Sequence, residues 1–252
     1  MAILEARGIV RTYGQVVALD GADFDVEAGE ITALIGDNGA GKSTLIRILS
    51  GTEQSEGGTV SFEGNEVTLA NPREAASLGI ETVYQDLALC PHLDPVQNLY
   101  LGREVKRRGF LGMLGMMDRK TMRGRSVDTF TDLGATVRAL SEPVGMMSGG
   151  QKQSIAVSRA SAWGSKVVFL DEPTAALGVV QTAHVLDLMR RLRDRGIGVV
   201  FISHSMPEVL KVSDTVQVLR RGRKVATYRA AESNIEELVG AMTGKFDEEG
   251  AA

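Results

Sequence analysis

The segment Gly36–Thr44 constrains this chain more than any other. It reads GDNGAGKST and fits the pattern G-x-x-x-x-G-K-[ST] of a phosphate-binding P-loop. The apolar run at residues 31–35 predicts a buried strand before it, and the apolar residues at 45, 46, 48 and 49 follow helical spacing after it. Strand, glycine-rich turn and helix are the context that this motif requires. The alternative is a glycine-rich turn that matches by chance, and the flanking pattern favours a nucleoside triphosphate site.

The chemistry of the loop follows from its residue types. Glycines let the backbone come close to a phosphate and turn its N–H groups inward, and the helix N-terminus favours negative charge. Lys42 is expected to reach the β- and γ-phosphates, and the Ser43 hydroxyl is expected to ligate Mg²⁺. The predicted nucleotide-binding residues of this segment are Gly36, Asn38, Gly39, Ala40, Gly41, Lys42, Ser43 and Thr44.

Length and composition exclude several classes of protein. The 252 residues are enough for one large core with a smaller appended lobe. A net charge of −4 gives no support to a nucleic-acid surface. The single cysteine, Cys90, cannot form an internal disulfide and is interpreted as an inert packed thiol in a reducing cytosol. We expect no signal peptide, and the apolar run at 109–117 is too short to span a bilayer.

The N-terminal part of the chain has strand character. Alternating patterns at 3–10, 16–26 and 58–64 predict an antiparallel sheet around the P-loop strand. Tyr13 precedes a glycine between two of these runs, where it is either a stacking platform for a base or an ordinary exposed aromatic. A further strand at 81–84 ends at Gln85.

Helical patterning replaces strand signals from residue 86 to about 164. Apolar residues at Val96, Leu99 and Tyr100, and then at 122, 127, 130 and 133, predict helices, the second capped by Asp118. We interpret this region as a helical lobe inserted into the α/β core. The basic residues 106–108 and the methionine- and glycine-rich run after them could contact a partner or a membrane face. The favoured alternative is a solvated charge cluster that leads into packing of the lobe.

Polar residues in the second half of the chain are candidates for phosphate, metal and water binding. Ser148, Gly149, Gly150 and Gln151 begin a helix and predict an anion-binding turn. The buried strand at 166–170 ends in Asp171 and Glu172. At the end of a strand next to the P-loop strand, Asp171 suits the metal and Glu172, on the opposite face, suits the attacking water. A pair of solvated acids is the alternative.

The remaining elements complete an α/β pattern. A helix over 185–192 and a buried strand over 198–203 lead to His204, which by itself is equally consistent with capping and with catalysis. Residues 215–228 predict a hairpin, and residues 235–242 predict a short helix. The tail 245–252 is predicted to be disordered.

Together these motifs resemble, in order and over essentially the whole chain, the ATP-binding cassette (ABC) ATPase family. The resemblance implies a RecA-like P-loop NTPase core with an antiparallel β subdomain (residues 1–85 and 165–244) and an inserted α-helical subdomain (residues 86–164). It also implies residue roles. These are the A-loop Tyr13, the Walker A segment Gly36–Thr44, the Q-loop Gln85, the signature Ser148–Gln151, the Walker B Asp171, the catalytic Glu172 and the switch His204.

The resemblance implies a mechanism as well. Two copies pack head to tail, and each ATP lies between the P-loop of one copy and the Ser148–Gly150 turn of the other. Gln85 senses Mg²⁺ and the γ-phosphate and is a metal contact together with Ser43 and Asp171, while hydrolysis opens the dimer. The helical lobe docks on a transmembrane permease that a solute-binding protein serves, so the chain is expected to be cytoplasmic and peripheral on the inner face of the membrane.

Within the family, the amino-acid sequence of residues 79–89 and 98–104 is most similar to that of the ATPases of bacterial ribose, xylose and fructose importers. Gly178 stands where the family has an aspartate, which places the usual cross-dimer contact of this D-loop in question. The expected function is therefore ATP hydrolysis that powers monosaccharide import. The alternatives are a soluble ABC ATPase without a transport role and a regulatory module that does not turn over.

Overall fold

The computed structural model describes residues 2–135, 137 and 139–245, without the side chain of Leu111. Within these residues the chain forms two β-sheets, of four and six strands. Of the tail predicted to be disordered, residues 246–252 lie outside the described residues.

The smaller sheet is antiparallel and has the strand order β2-β1-β4-β5. Its strands are β1 (Ala2–Tyr13), β2 (Val16–Glu27), β4 (Gly57–Phe62) and β5 (Asn65–Glu66). The first two strands form a hairpin that closes where Tyr13 faces Val16. The predicted antiparallel sheet is thus confirmed, and Tyr13 is the last residue of a strand.

The larger sheet carries the P-loop strand and has the order β10-β9-β3-β8-β7-β6. Its strands are β3 (Ile31–Ile35), β6 (Ile80–Val83), β7 (Val167–Asp171), β8 (Gly198–Ile202), β9 (Thr215–Arg220) and β10 (Arg223–Arg229). All pairs are parallel except the predicted hairpin β9–β10, which is confirmed. The expectation that the Asp171 strand adjoins the P-loop strand is wrong. Strand β8 pairs with both and lies between them, so His204 follows the central strand.

The alternation of side chains along the strands divides the core into two layers. Leu34 and Phe169 face a cluster that contains the smaller sheet, α1 (Lys42–Leu49) and α2 (Pro72–Leu78). Their neighbours Ala33, Val168 and Leu170 face the opposite cluster. That cluster contains α7 (Val179–Asp194), α8 (Met206–Val212) and α9 (Ile235–Thr243). Strand β3 is buried on both sides, and its end is fixed in position.

Between β6 and β7 the described residues form four α-helices and one short 3₁₀ helix, Val144–Met146. The α-helices are α3 (Pro95–Tyr100), α4 (Phe110–Met113), α5 (Arg119–Leu133) and α6 (Gly149–Ser161). Asp118 caps α5 as predicted, accepting a hydrogen bond from the Thr121 N–H. Val127, expected on the buried face of α5, is 41% exposed. Helix α6 belongs to two cores, because Ile155 packs in a small cluster with α3 and α5 while Ala156 packs against the main sheet.

The basic and methionine-rich segment, residues 106–117, projects from these helices; we call it the exposed tip. Its two arms pair with each other through a bridge between Lys106 and Met117. Phe110, Met113 and Leu114 are 72%, 87% and 64% exposed. The favoured expectation that this run leads into packing of the lobe is wrong for these residues, because the segment turns back on itself before it reaches the small core. Among the described helices, none combines the length and the apolar character needed to cross a lipid bilayer.

We predict that Phe169→Ala lowers the free energy of unfolding by about 3–5 kcal/mol, because the ring is fully buried and leaves a cavity. Phe110→Ala, which removes the same group from an exposed position, is the matched control and is expected to leave stability almost unchanged. Urea denaturation of the two variants measures both values. Equal losses would contradict the assignment of these two side chains to core and surface.

Candidate functional site

A cleft of about 310 Å³ lies beside the P-loop, beyond the end of β3. Its lining combines the loop, the start of α1, the β1–β2 hairpin and the ends of β7 and β8. The lining residues are Tyr13, Val16, Ala18, Asn38, Gly39, Ala40, Gly41, Lys42, Ser43, Thr44, Glu172, Ile202 and His204. Most of the predicted nucleotide-binding residues therefore share one cleft, with Val16 and Ala18 in addition.

The P-loop backbone is held closely by neighbouring strands. A Cβ atom at Gly36 would lie 2.1 Å from the Leu219 carbonyl oxygen, and one at Gly41 would lie 2.5 Å from the Ala18 carbonyl oxygen. Gly41 also has a φ of 103°, which disfavours any side chain. Glycine at these two positions is required by contact with β9 and β2. The open space at Gly39 shows that the requirement there is conformational, with a φ of 80°.

Lys42 is buried, and its ammonium group contacts only backbone oxygens of the loop. Its Nζ donates to the carbonyl oxygens of Gly36 at 2.6 Å and Asp37 at 2.9 Å. Burial lowers the pKa of Lys42, against the attraction of Asp37, Glu172 and Asp171. Among the described residues Lys42 has no ion pair. A desolvated cation of this kind is well placed to bind an added anion.

Ser43 and Asp171 provide the oxygen donors that suit Mg²⁺. Ser43 is exposed to the cleft, whereas Asp171 lies at the end of β7, half-buried and outside the lining. Burial, and then the charge of Glu172, raise the pKa of Asp171. Within the described part of the chain, no cluster of three or more His, Cys, Asp or Glu residues could hold a metal. Phosphate oxygens and water would therefore complete the coordination, as is usual for Mg²⁺ bound with a nucleotide.

Glu172 and His204 are paired in the cleft. The His204 Nε2 atom lies 3.1 Å from the Glu172 Oε1 atom. Glu172 has a φ of 48°, and its N–H donates to the Ile202 carbonyl oxygen at 3.2 Å. Glu172 lies one residue beyond the end of β7, so its direction is set by this left-handed turn and not by strand alternation. The expectation that Asp171 and Glu172 have different roles stays a prediction. A carboxylate beside an imidazole can accept a proton from water and share it with the ring.

Tyr13 stands at the side of the cleft and is 41% exposed. Its hydroxyl donates to Glu53, and the Arg11 guanidinium lies 5.1 Å from the ring centroid. Arg11 covers one face of the ring and is not part of the cleft lining, and the opposite face is the one that could receive a base. Sequence reasoning missed both partners of Tyr13: Arg11 lies two residues before it on the same strand, and Glu53 lies in the segment between α1 and β4.

Gln85 is not in the cleft. It lies in an exposed turn after β6, the edge strand of the larger sheet. Leu87 and Ala88 in this turn have φ angles of 62° and 44°, and Arg159 of α6 donates to their carbonyl oxygens at 3.0 and 2.7 Å. Burial lowers the pKa of Arg159. From the sequence, Arg159 could be assigned only to a helix. Its contact with this turn is seen only in the structure.

Ser148, Gly150 and Gln151 line a second cavity, also of about 310 Å³, with Ser154, Val180, Gln181 and His184. Ser148 and Gln151 form a reciprocal cap at the start of α6, and the Gly149 position contacts Leu177. The two cavities share no lining residue. One copy of the chain thus holds the two predicted phosphate-binding turns apart.

The parallel sheet, and the loop that packs through Gly36 and Gly41 around Lys42, define a P-loop nucleotide-binding protein. The model of the ABC transporter family matches residues 19–175. The chain belongs to this family, which confirms the resemblance, and it is accordingly an ATPase whose hydrolysis is coupled to transport.

Curated relatives are similar over most of this chain. The fructose import ATP-binding protein of Rhizobium meliloti is 45% identical over 96% of this chain and 94% of its own length. The xylose/arabinose import ATP-binding protein of Sulfolobus acidocaldarius is 42% identical with the same coverage. A ribose import ATP-binding protein of Burkholderia cenocepacia is 38% identical, and the match covers 47% of that protein.

Solved structures support the fold. A nucleotide-free ATP-binding cassette from an ABC transporter is 26% identical, with a TM-score of 0.80 and coverage of 96% of both chains. The ADP conformation of another such cassette is 25% identical, again with a TM-score of 0.80. The predicted fold class, a P-loop core with an antiparallel β subdomain and added helices, is confirmed.

We predict that Asp171→Asn raises the melting temperature of the nucleotide-free protein at pH 7. The raised pKa means that the charged carboxylate is less favourable in the folded chain than in the unfolded chain. The gain is therefore present above the folded-state pKa, shrinks as the pH falls through it, and is absent below the ordinary value of 3.8. Calorimetry between pH 3 and 7 measures it, with the exposed Asp128→Asn as the control. A loss of stability at pH 7 would contradict the prediction.

Proposed function

We propose that this chain is the ATP-hydrolysing subunit of a monosaccharide importer and that it works as a head-to-tail homodimer with two ATP molecules at the interface. The separation of the P-loop cleft from the Ser148–Gly150 cavity carries this proposal. Each cavity is lined by only one of the two predicted phosphate-binding turns, and a second copy is the simplest source of the other turn.

The sugar assignment is supported by the relatives. Two relatives are named for fructose import and for xylose/arabinose import, and each is matched over 94% of its length. Nothing in these matches favours an ABC ATPase without a transport role. A solute-binding protein and the permease would select the sugar, since the cleft of this chain is built for a nucleotide.

In the proposed mechanism the residues of one chain prepare the nucleotide for hydrolysis. The free face of Tyr13 stacks on the base, and the loop N–H groups and Lys42 hold the phosphates. Ser43 and Asp171 would hold Mg²⁺, which would neutralise phosphate charge, and Gln85 would join them after its turn moves toward the cleft, which it does not line here. Glu172 orients the attacking water and accepts its proton.

His204 and the partner copy complete the arrangement. The ring of His204 contacts the γ-phosphate and keeps Glu172 in place through their hydrogen bond. The partner copy supplies its Ser148 hydroxyl and its Gly149 and Gly150 N–H groups to the same phosphate. Loss of the γ-phosphate removes the charge that joins the copies, so the dimer opens.

The division of the chain fits this mechanism. Residues 1–85 and 165–244 form the nucleotide-binding core, and residues 86–164 form the helical subdomain that receives the permease. We place the protein in the cytoplasm, on the inner face of the membrane, bound there through its permease.

The test of the proposed function is Glu172→Gln. This change removes the proton acceptor and keeps the shape, so steady-state ATP hydrolysis is expected to fall by about 10²-fold or more. The variant is also expected to form an ATP-dependent dimer, measured by size-exclusion chromatography. Asp187→Asn, on the exposed surface of α7, is the control. Equal and negligible activity of wild type and variant with permease present, or a variant that stays monomeric in saturating ATP, would overturn the proposal.

We assign the exposed tip to contact with the permease. It presents Phe110, Met113 and Leu114 to solvent next to three basic residues, and its arms are already hydrogen-bonded to each other. An ordered apolar surface of this kind marks an interaction site.

The change Phe110→Ser/Met113→Ser is expected to reduce capture of the chain by detergent-solubilised permease at least tenfold, because it removes the largest apolar contacts. ATP affinity of the free chain is expected to be unchanged. Val225→Ser/Val239→Ser replaces apolar residues of 42% and 41% exposure elsewhere and serves as the control. If the tip variant is still captured by the permease, the exposed tip is not the permease contact.

A further inference from the structure

The side chain of Gln181 occupies the space beside two glycines from different elements. Gly178 immediately precedes α7, and a Cβ atom there would lie 2.7 Å from the Gln181 Oε1 atom. Gly150 lies in the first turn of α6, and a Cβ atom there would lie 2.7 Å from Cγ and 3.0 Å from Cβ of Gln181. Neither glycine has a positive φ, so a side chain at either position would be limited by contact with Gln181 and not by the backbone conformation.

The polar end of Gln181 is free to bind a further group. The residue is exposed and lines the second cavity together with Ser148 and Gly150. Within the described part of the chain, its amide makes no hydrogen bond. With Oε1 turned toward Gly178, the Nε2 group remains as a donor beside the phosphate-binding turn.

We propose that Gln181 is a nucleotide-binding residue of the ATP interface. Its aliphatic stem supports Gly150, and its Nε2 group donates to a phosphate oxygen of the nucleotide that the partner copy holds. This inference rests on the proposed head-to-tail dimer.

The position distinguishes this role from that of an ordinary surface glutamine. A glutamine on the first turn of a helix usually extends into water and tolerates substitution. Here the stem is in contact with the turn at the start of α6, so removing it leaves Gly150 without a neighbour on that side. Val179, one position into α7, is 89% exposed and does not line the cavity, so it provides a matched control.

The experiment uses the full chain in the Glu172→Gln background, where hydrolysis does not compete. Gln181→Ala is expected to raise the ATP concentration for half-maximal dimer formation, measured by sedimentation, about five- to tenfold, the size of one lost hydrogen bond. Binding of ATP to the dilute monomer and the melting temperature are expected to be unchanged. Val179→Ala is expected to match the parent. In chains with Glu172 intact, Gln181→Ala is expected to lower kcat and leave the monomer's ATP affinity as it was.

Gly178→Asp tests the relation between the two residues. Alone, it is expected to weaken dimer formation, because its Cβ would meet Oε1 of Gln181 and its carboxylate would face the same oxygen. Combined with Gln181→Ala, the aspartate has room, and dimer formation is expected to be no weaker than in Gln181→Ala alone. Additive losses would show that the two side chains do not share this space and would overturn the inference.

The outcomes separate the two proposals. A Glu172→Gln chain that stays monomeric in saturating ATP with Gln181 intact would overturn the dimer and this inference together. A dimer that forms equally well with and without Gln181 would overturn the role of Gln181 alone.

Discussion

The site depends on close packing of the P-loop backbone against neighbouring strands. Gly36 contacts the end of β9, and Gly41 contacts β2, at distances that exclude a side chain. These contacts join the loop, and with it the start of α1, to one strand of each sheet. Lys42 is consequently held under the loop, bonded to backbone oxygens and largely removed from water. The binding of anions follows from this packing more than from any single charge.

The order of the strands then determines how the chemistry is assembled. Strand β8 lies between β3 and β7, so His204 emerges between the loop and the two acids. Glu172 turns back toward β8 through its left-handed backbone and its bond to the Ile202 carbonyl. Asp171 stays half-buried at the end of β7. The two neighbouring acids thus have different surroundings: Glu172 lies beside His204, and Asp171 is partly removed from water.

Local patterns in the sequence were enough for the P-loop, the hairpins and the capped helices, because turn residues and side-chain periodicity act over a few positions. The strand order could not be obtained in this way, since pairing of β8 with β3 and β7 joins residues far apart in the chain. The same limit applies to Arg159 at the Gln85 turn and to Gln181 over Gly150. The exposure of Phe110 was missed because an apolar run looks the same whether it packs or projects.

Helix α6 connects the Gln85 turn mechanically to Ser148. It begins at Ser148, packs in the small helical core through Ile155 and against the main sheet through Ala156, and holds the Gln85 turn through Arg159. At 1.5 Å per residue it is a rod of about 20 Å, short enough to move as a rigid body. It follows that a rotation of a few degrees about its C-terminal end moves Ser148 by about an ångström. A shift of this size is comparable to the range of distances over which a hydrogen bond to a phosphate can form.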